Sequence, residues 1–281
     1  MKPTSILLPL AAAVTICLQA QQPAPSAPPP VDLFSPDVIK AHTPADNPVT
    51  DAKAKLGDML FDDKRLSSDN SLACNTCHSP RNGFTTHTET SRGVDFQLGK
   101  RNAPTLLNAM FYKTMFWDGR AASLEEQATL PILNPIEMGQ KDPKDVVAKL
   151  SAIPEFVEAF QKVFGHPVNW EDIGKAIAAF ERTRLSTEAP FDRFLKGDPK
   201  AMNPSQRRGW ELFTGKARCG SCHSDDAALP IFGDNRFHNT GVGTGKDFNQ
   251  LAKRAADSVT TNNRGELDKL ALETDYSELG R

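Results

Sequence analysis

The sequence of 281 residues is poor in the features that mark a membrane, nucleic-acid or β-sheet protein. Its 33 Lys and Arg stand against 35 Asp and Glu, and no long run of one sign interrupts the balance. That absence gives no footing for a nucleic-acid partner. Aromatic residues are few, and no segment alternates polar and apolar residues in the manner of a strand. Long apolar runs are missing after the first residues. The single candidate, Ile6 to Leu18, follows Lys2 and precedes Ala20, too short with those flanks to span a bilayer. It reads as a secretory signal peptide over residues 1–20. Cysteine is the scarcest informative residue, with five in all, of which Cys17 lies inside that leader. Ile16 before it is not the small residue a lipoprotein cysteine normally follows. Methionine is absent beyond Met202.

The other four cysteines fall into two short motifs, Cys74-Asn75-Thr76-Cys77-His78 and Cys219-Gly220-Ser221-Cys222-His223. C-x-x-C-H is the attachment pattern of a c-type haem. Each cysteine adds across one vinyl group, and two intervening residues set both sulfurs on one helical turn. The adjoining histidine then lies under the iron as its proximal ligand. A zinc or redox dithiol could explain one copy. Two copies, each with its histidine, point instead to two covalently bound c-type haems, with His78 and His223 on the irons. Export agrees, since such haems are attached outside the cytoplasm.

In chain order, residues 21–36 form a proline-rich tether. Leu56, Met59, Leu60 and Phe61 have helical spacing, with Asp51 available at the start. Short helices are expected over Asn102 to Tyr112 and Leu124 to Leu130, the latter with Ser123 and Glu126 as a capping box. Pro143 opens a helix over Lys144 to Leu150. Trp170, Ile173, Ile177 and Phe180 stripe a longer one, taken as core packing. Asn203-Pro204 starts the helix that leads into the second motif. The expected fold is mainly α, with two cytochrome c-like haem domains in tandem, 37–186 and 187–281.

Several segments resemble the bacterial dihaem cytochrome c peroxidases and their relatives that mature methylamine dehydrogenase. They are Leu60-Phe61 with Arg65-Leu66-Ser67, Arg101-Asn102-Ala103-Pro104-Thr105, Phe116-Trp117-Asp118-Gly119-Arg120, and Gly209-Trp210-Glu211-Leu212-Phe213 before the second motif. The resemblance covers most of residues 50 to 245. It implies a peroxidatic first haem and an electron-transfer second haem. By the family's spacing from Trp117, Glu137 is the distal acid-base group and Gln127 orients the peroxide. Trp117 itself, locally a core aromatic, becomes the relay between haems. Asn102 matches a ligand of a possible calcium ion. Many relatives hold a blocking histidine sixteen residues after the proximal one. Here that position is Val94, which cannot ligate iron, so an open first haem is expected. His87 in the same loop has the wrong offset and reads as a surface residue.

For the second haem the family supplies a Met or Tyr from beyond the second motif. Here only His238 and Tyr276 are at hand, with His238 expected to pack at a haem edge. Because the family continues past a segment like Leu279-Gly280-Arg281, a C-terminally truncated second domain is expected. The resemblance implies an exported, periplasmic peroxidase without a membrane span in its mature form. It would reduce hydrogen peroxide to water with electrons from a small periplasmic cytochrome or copper protein. The alternatives are an oxidase of a partner protein's residues and a non-catalytic dihaem electron carrier.

Overall fold

The structure, a computed structural model, describes residues 35–186, 189–223 and 231–238. The leader with Cys17, nearly all of the proline-rich tether, Tyr276 and the terminal Leu-Gly-Arg lie outside the described residues. Nine α-helices occur among the described residues, and the only β pairing there is three isolated bridges. The helices are α1 (Pro36–Ala41), α2 (Asp51–Phe61), α3 (Cys74–Cys77), α4 (Leu124–Leu133), α5 (Pro143–Ser151), α6 (Pro154–Phe164), α7 (Trp170–Glu181), α8 (Pro190–Leu195) and α9 (Pro204–Thr214). The mainly α expectation holds.

Helix starts follow local chemistry. Thr50 caps α2 by accepting from the Lys53 amide, Asp142 caps α5 ahead of Pro143, and Asn203 caps α9 ahead of Pro204. Ser123 caps α4 through the Glu126 amide, while the Glu126 carboxylate takes the Ala122 amide rather than that of Ser123. The box is therefore offset by one residue. One expectation fails. Residues 102–112 hold only a single 3₁₀ turn, Ala109–Phe111. Pro104 disfavours helical geometry at Ala103, and Asn108 adopts a left-handed φ of 60°. α6 and α8 add to the expected helices; in α6, Phe156, Phe160 and Phe164 recur at intervals of four.

The main core lies where α2 crosses α7, closed by α5 and α6. Leu56, Leu60, Phe61, Phe156, Phe160, Ile173 and Ile177 are almost wholly buried there. The crossing is close because of Gly57, where a Cβ would fall 2.0 Å from the Ala176 carbonyl oxygen. α4 packs on another side of α7, and a polar seam binds the two. Arg182 donates twice to Glu125, at 2.6 and 3.0 Å, and Asn47 donates to Glu125 at 2.7 Å while accepting from Lys53 at 2.8 Å. A second cluster gathers Ala109, Met110, Phe111, Met115, Ala121, Leu124 and Ala178, and it includes Ile231 from beyond the second motif. The chain thus returns onto its first half after Cys222. Asn235 reinforces that return by accepting from the Lys113 amide at 2.9 Å.

Candidate haem and distal sites

α3 is one turn long, and it carries Cys74 and Cys77 at its two ends, as thioether attachment to one porphyrin edge requires. His78 follows directly. Its Nδ1 donates to the Phe84 carbonyl oxygen at 3.1 Å, which leaves the ring lone pair on Nε2 for a metal. Burial lowers the His78 pKa, opposed by the carbonyls of Phe84 and Pro104, so the imidazole is neutral and competent to ligate. The thiol of Cys74 is pushed up to about 12, by burial first and by the nearby Glu181 charge second.

The second motif repeats the design. His223 Nδ1 lies 3.0 Å from the Phe232 carbonyl oxygen. Phe84 and Phe232 share a left-handed backbone, with φ of 58° and 56°. That turn aims each carbonyl at its histidine, and no sequence pattern announces it. Phe191, Trp210, Phe213 and Phe232 build an aromatic nest beside His223. Both sites therefore suit a c-type haem in their cysteine pairs, histidine tautomer and apolar walls. His238 approaches Cys222, with Nδ1 at 3.6 Å from Sγ, and its Nε2 pairs with Asp234 at 2.9 Å. That places it at the attachment edge.

Glu137 lies on the loop after α4, which is fixed at several points. Ser68 donates to the Met138 carbonyl at 2.8 Å, Gln140 donates to the Leu66 carbonyl at 3.1 Å, and Asn134 donates to the Glu137 carboxylate at 2.9 Å. Burial raises the Glu137 pKa, and Arg120 pulls it back. Its charge adds to burial in raising the Cys77 pKa, so this carboxyl lies within electrostatic reach of the first motif. Arg120 and Glu137 line a common cavity of about 560 Å³ with Glu126, Leu130 and Asn134. Arg120 is held by Asp118 at 2.8 Å and lies 3.5 Å over the Phe116 ring. Gln127 sits one turn before Leu130. Gln127 is not among the residues lining that cavity, and its Oε1, an acceptor, is buried without a hydrogen-bond partner among the described residues.

Val94 is buried, and its amide donates to the Glu137 carbonyl at 2.9 Å. Gly93 makes that contact possible, since a Cβ there would fall 1.8 Å from the Ile136 carbonyl oxygen. The residue at the blocking position is thus part of the support for Glu137. His87 is exposed in the neighbouring loop.

Trp117 departs from its local reading as a core aromatic, being 44% exposed. Left-handed residues at Phe116 and Gly119 turn it outward, and its indole donates to the Asn102 carbonyl at 2.8 Å. The core position is taken by Phe116 instead. The Asn102 side chain bonds the Thr88 carbonyl at 2.9 Å. Among the described residues no cluster of three His, Cys, Asp or Glu is arranged for a metal ion.

Comparison with known proteins agrees with this geometry. A profile of the di-haem cytochrome c peroxidase family matches residues 51–200. The cytochrome c551 peroxidase of Pseudomonas aeruginosa is 41% identical over 68% of this chain and 56% of its own length. The methylamine utilization protein MauG of Methylorubrum extorquens is 40% identical over 77% of this chain and 60% of its own. A solved MauG-like protein associated with microbial copper homeostasis superposes with a TM-score of 0.64 at 31% identity, covering 78% of this chain and 64% of that one. The chain spans about half to three fifths of the curated relatives it matches. The matched profile takes in α2 through α8, the first haem motif and the loop carrying Glu137, and on that ground the chain belongs to the di-haem cytochrome c peroxidase family.

Proposed function

We propose that this protein is an exported dihaem peroxidase that reduces hydrogen peroxide to water with electrons from a small redox protein. Residues 37–186 form the peroxidatic domain and residues 187–281 the electron inlet. The haem beneath each motif, linked through Cys74 and Cys77 or through Cys219 and Cys222, supplies the redox iron. The observation that carries the proposal is Glu137, a half-buried carboxyl of raised pKa that shares a cavity with Arg120 and lies within electrostatic reach of Cys77 in the first motif.

Each neighbouring side chain has a task in that chemistry. Glu137 takes a proton from the near oxygen of peroxide and delivers it to the far one, which leaves as water. Asn134 holds the carboxylate oriented, and Arg120 keeps a fraction of it ionised. Gln127 orients the substrate by accepting a hydrogen bond on its unpartnered Oε1. Val94 offers no ligand atom, so it would leave the sixth position of a haem held by His78 unblocked. Trp117, exposed in the Phe-Trp-Asp-Gly-Arg turn and tied to Asn102, carries electrons between the haems. Calcium is not part of the proposal, because the Asn102 amide is engaged with the Thr85–Thr88 loop.

The test is a steady-state assay with peroxide and a reduced monohaem cytochrome, run beside the ferric spectrum. Turnover, its loss by roughly 10²–10⁴-fold in Glu137→Gln, and a high-spin first haem are expected. A fully six-coordinate low-spin spectrum with no turnover would leave an electron carrier. A second reading, oxidation of residues in a partner protein, rests on Val94, since identity does not separate the two at 41% to a cytochrome c551 peroxidase and 40% to MauG. Absence of peroxide turnover despite an open first haem would select it.

A further inference from the structure

Glu181 ends α7 and is 3% exposed, yet it has no part in the chemistry above. Its Oε2 is buried without a hydrogen-bond partner among the described residues. Three ionisable groups face it: Arg182 from its own helix end, Glu125 from α4 and the thiol of Cys74 from α3. Arg182 lowers the Glu181 pKa by its charge, but its two hydrogen bonds go to Glu125, and its Nε is itself buried without a partner among the described residues. Glu125 in turn is tied through Asn47 to Lys53, so the seam closes on itself and leaves Glu181 outside it.

The same helix end supports the first haem's histidine. The Phe180 ring packs on Phe61 at 4.9 Å, and Phe61 meets Phe84 edge-on at 6.4 Å. Arg184 lies over both Phe84 and Phe180. Phe84 is the residue whose carbonyl accepts the hydrogen bond from His78 Nδ1. Glu181 is therefore an unpartnered buried carboxyl that faces one attachment cysteine and stands on the segment bracing the axial ligand.

We propose that Glu181 exchanges a proton with solvent whenever the first haem exchanges an electron. One electron from an external reductant converts ferric to ferrous iron, and one proton is taken up on the Glu181 carboxylate. Reoxidation returns both. The carboxylate favours the ferric form by its negative charge, and the neutral acid is compatible with the ferrous form. Burial pushes Glu181 up to about 8, with Arg182 lowering it and Glu125 raising it, so the group is poised to respond to one unit of nearby charge. The proposal needs a haem on Cys74 and does not depend on what that haem reacts with.

The test is a spectroelectrochemical titration of the dihaem protein from about pH 6 to about pH 10. The midpoint potential of the first haem is expected to fall with rising pH, toward a limit of one proton per electron. Glu181→Gln should flatten that slope, and Glu181→Asp should keep one. A wild-type potential independent of pH overturns the proposal, as does a wild-type slope retained in a Glu181→Gln protein of normal haem content. Should the variant fail to load haem, the ferrous-minus-ferric infrared difference spectrum of the wild type decides. A carboxylic acid carbonyl band gained on reduction, shifted by ¹³C-labelled glutamate and kept in Glu137→Gln, supports it; absence of that band, or its loss in Glu137→Gln, overturns it.

Discussion

Gly93→Ala isolates the contact that positions Glu137. The backbone of Gly93 is extended, with φ of −97° and ψ of −161°, so alanine meets no conformational barrier there. The obstacle is steric. The added Cβ would lie 1.8 Å from the Ile136 carbonyl oxygen and 2.6 Å from that of Glu137, and real Cβ contacts essentially never fall under 3.0 Å. All three nearest atoms are backbone, so no side chain can swing away. The loop must retreat by more than an ångström, stretching the 2.9 Å bond from the Val94 amide to the Glu137 carbonyl. Overpacking of this kind costs about 1–3 kcal/mol in stability. A displacement of about 1 Å in a catalytic group costs on the order of 10²-fold in rate. The assay is peroxide turnover per haem, with thermal unfolding on the same preparation. A folded, dihaem Gly93→Ala protein with wild-type kcat/KM would refute the assignment of this contact, and of Glu137, to the reaction.

Gly57→Ala gains about 1 kcal/mol in helix propensity but drives a Cβ into the Ala176 carbonyl at 2.0 Å. A net destabilisation is expected, read as a lower Tm; an unchanged or higher Tm contradicts the close α2–α7 crossing. Arg120→Gln removes the charge that lowers the Glu137 pKa. The ascending limb of the pH–rate profile should therefore move to higher pH, and no movement would separate the two residues. Glu181 has a folded-state pKa of about 8 against an ordinary 4.5, so its contribution to stability is full below pH 4.5 and is lost as pH rises through 8. Denaturant titrations at several pH values should show that decline in the wild type and not in Glu181→Gln. Phe61→Ala, at a site 1% exposed between Phe84 and Phe180, should cost about 3–5 kcal/mol and loosen the His78 tautomer, seen as a broadened proximal histidine resonance.

Both haem motifs and most helices are local in origin and were legible in the sequence. C-x-x-C-H is a covalent spacing, and a helix such as α2 or α7 declares itself by its stripe and its capping residue, because neighbours along the chain decide these. α6 was equally local, in its phenylalanines at intervals of four, and simply went unread. The 102–112 segment failed as a helix because Pro104 and the left-handed Asn108 overrule its apolar content. Trp117 turned outward for a similar reason, through positive φ on either side.

The family's spacing led to Glu137 and Gln127, but nothing in their own surroundings distinguished them from other polar residues. Folding does so, by half-burying Glu137, setting Arg120 into the same cavity and fastening the loop with Val94 and Gly93, which lie more than forty residues away in the chain. The carbonyls of Phe84 and Phe232 and the stranded carboxyl of Glu181 had no sequence signal at all. A pKa depends on burial and on charges close in space, and a hydrogen-bond acceptor depends on where a turn aims it. Chain order alone thus determined the two motifs proposed to hold haem, while only the packed helices decided which carboxyls are shielded from water and which charges lie near them.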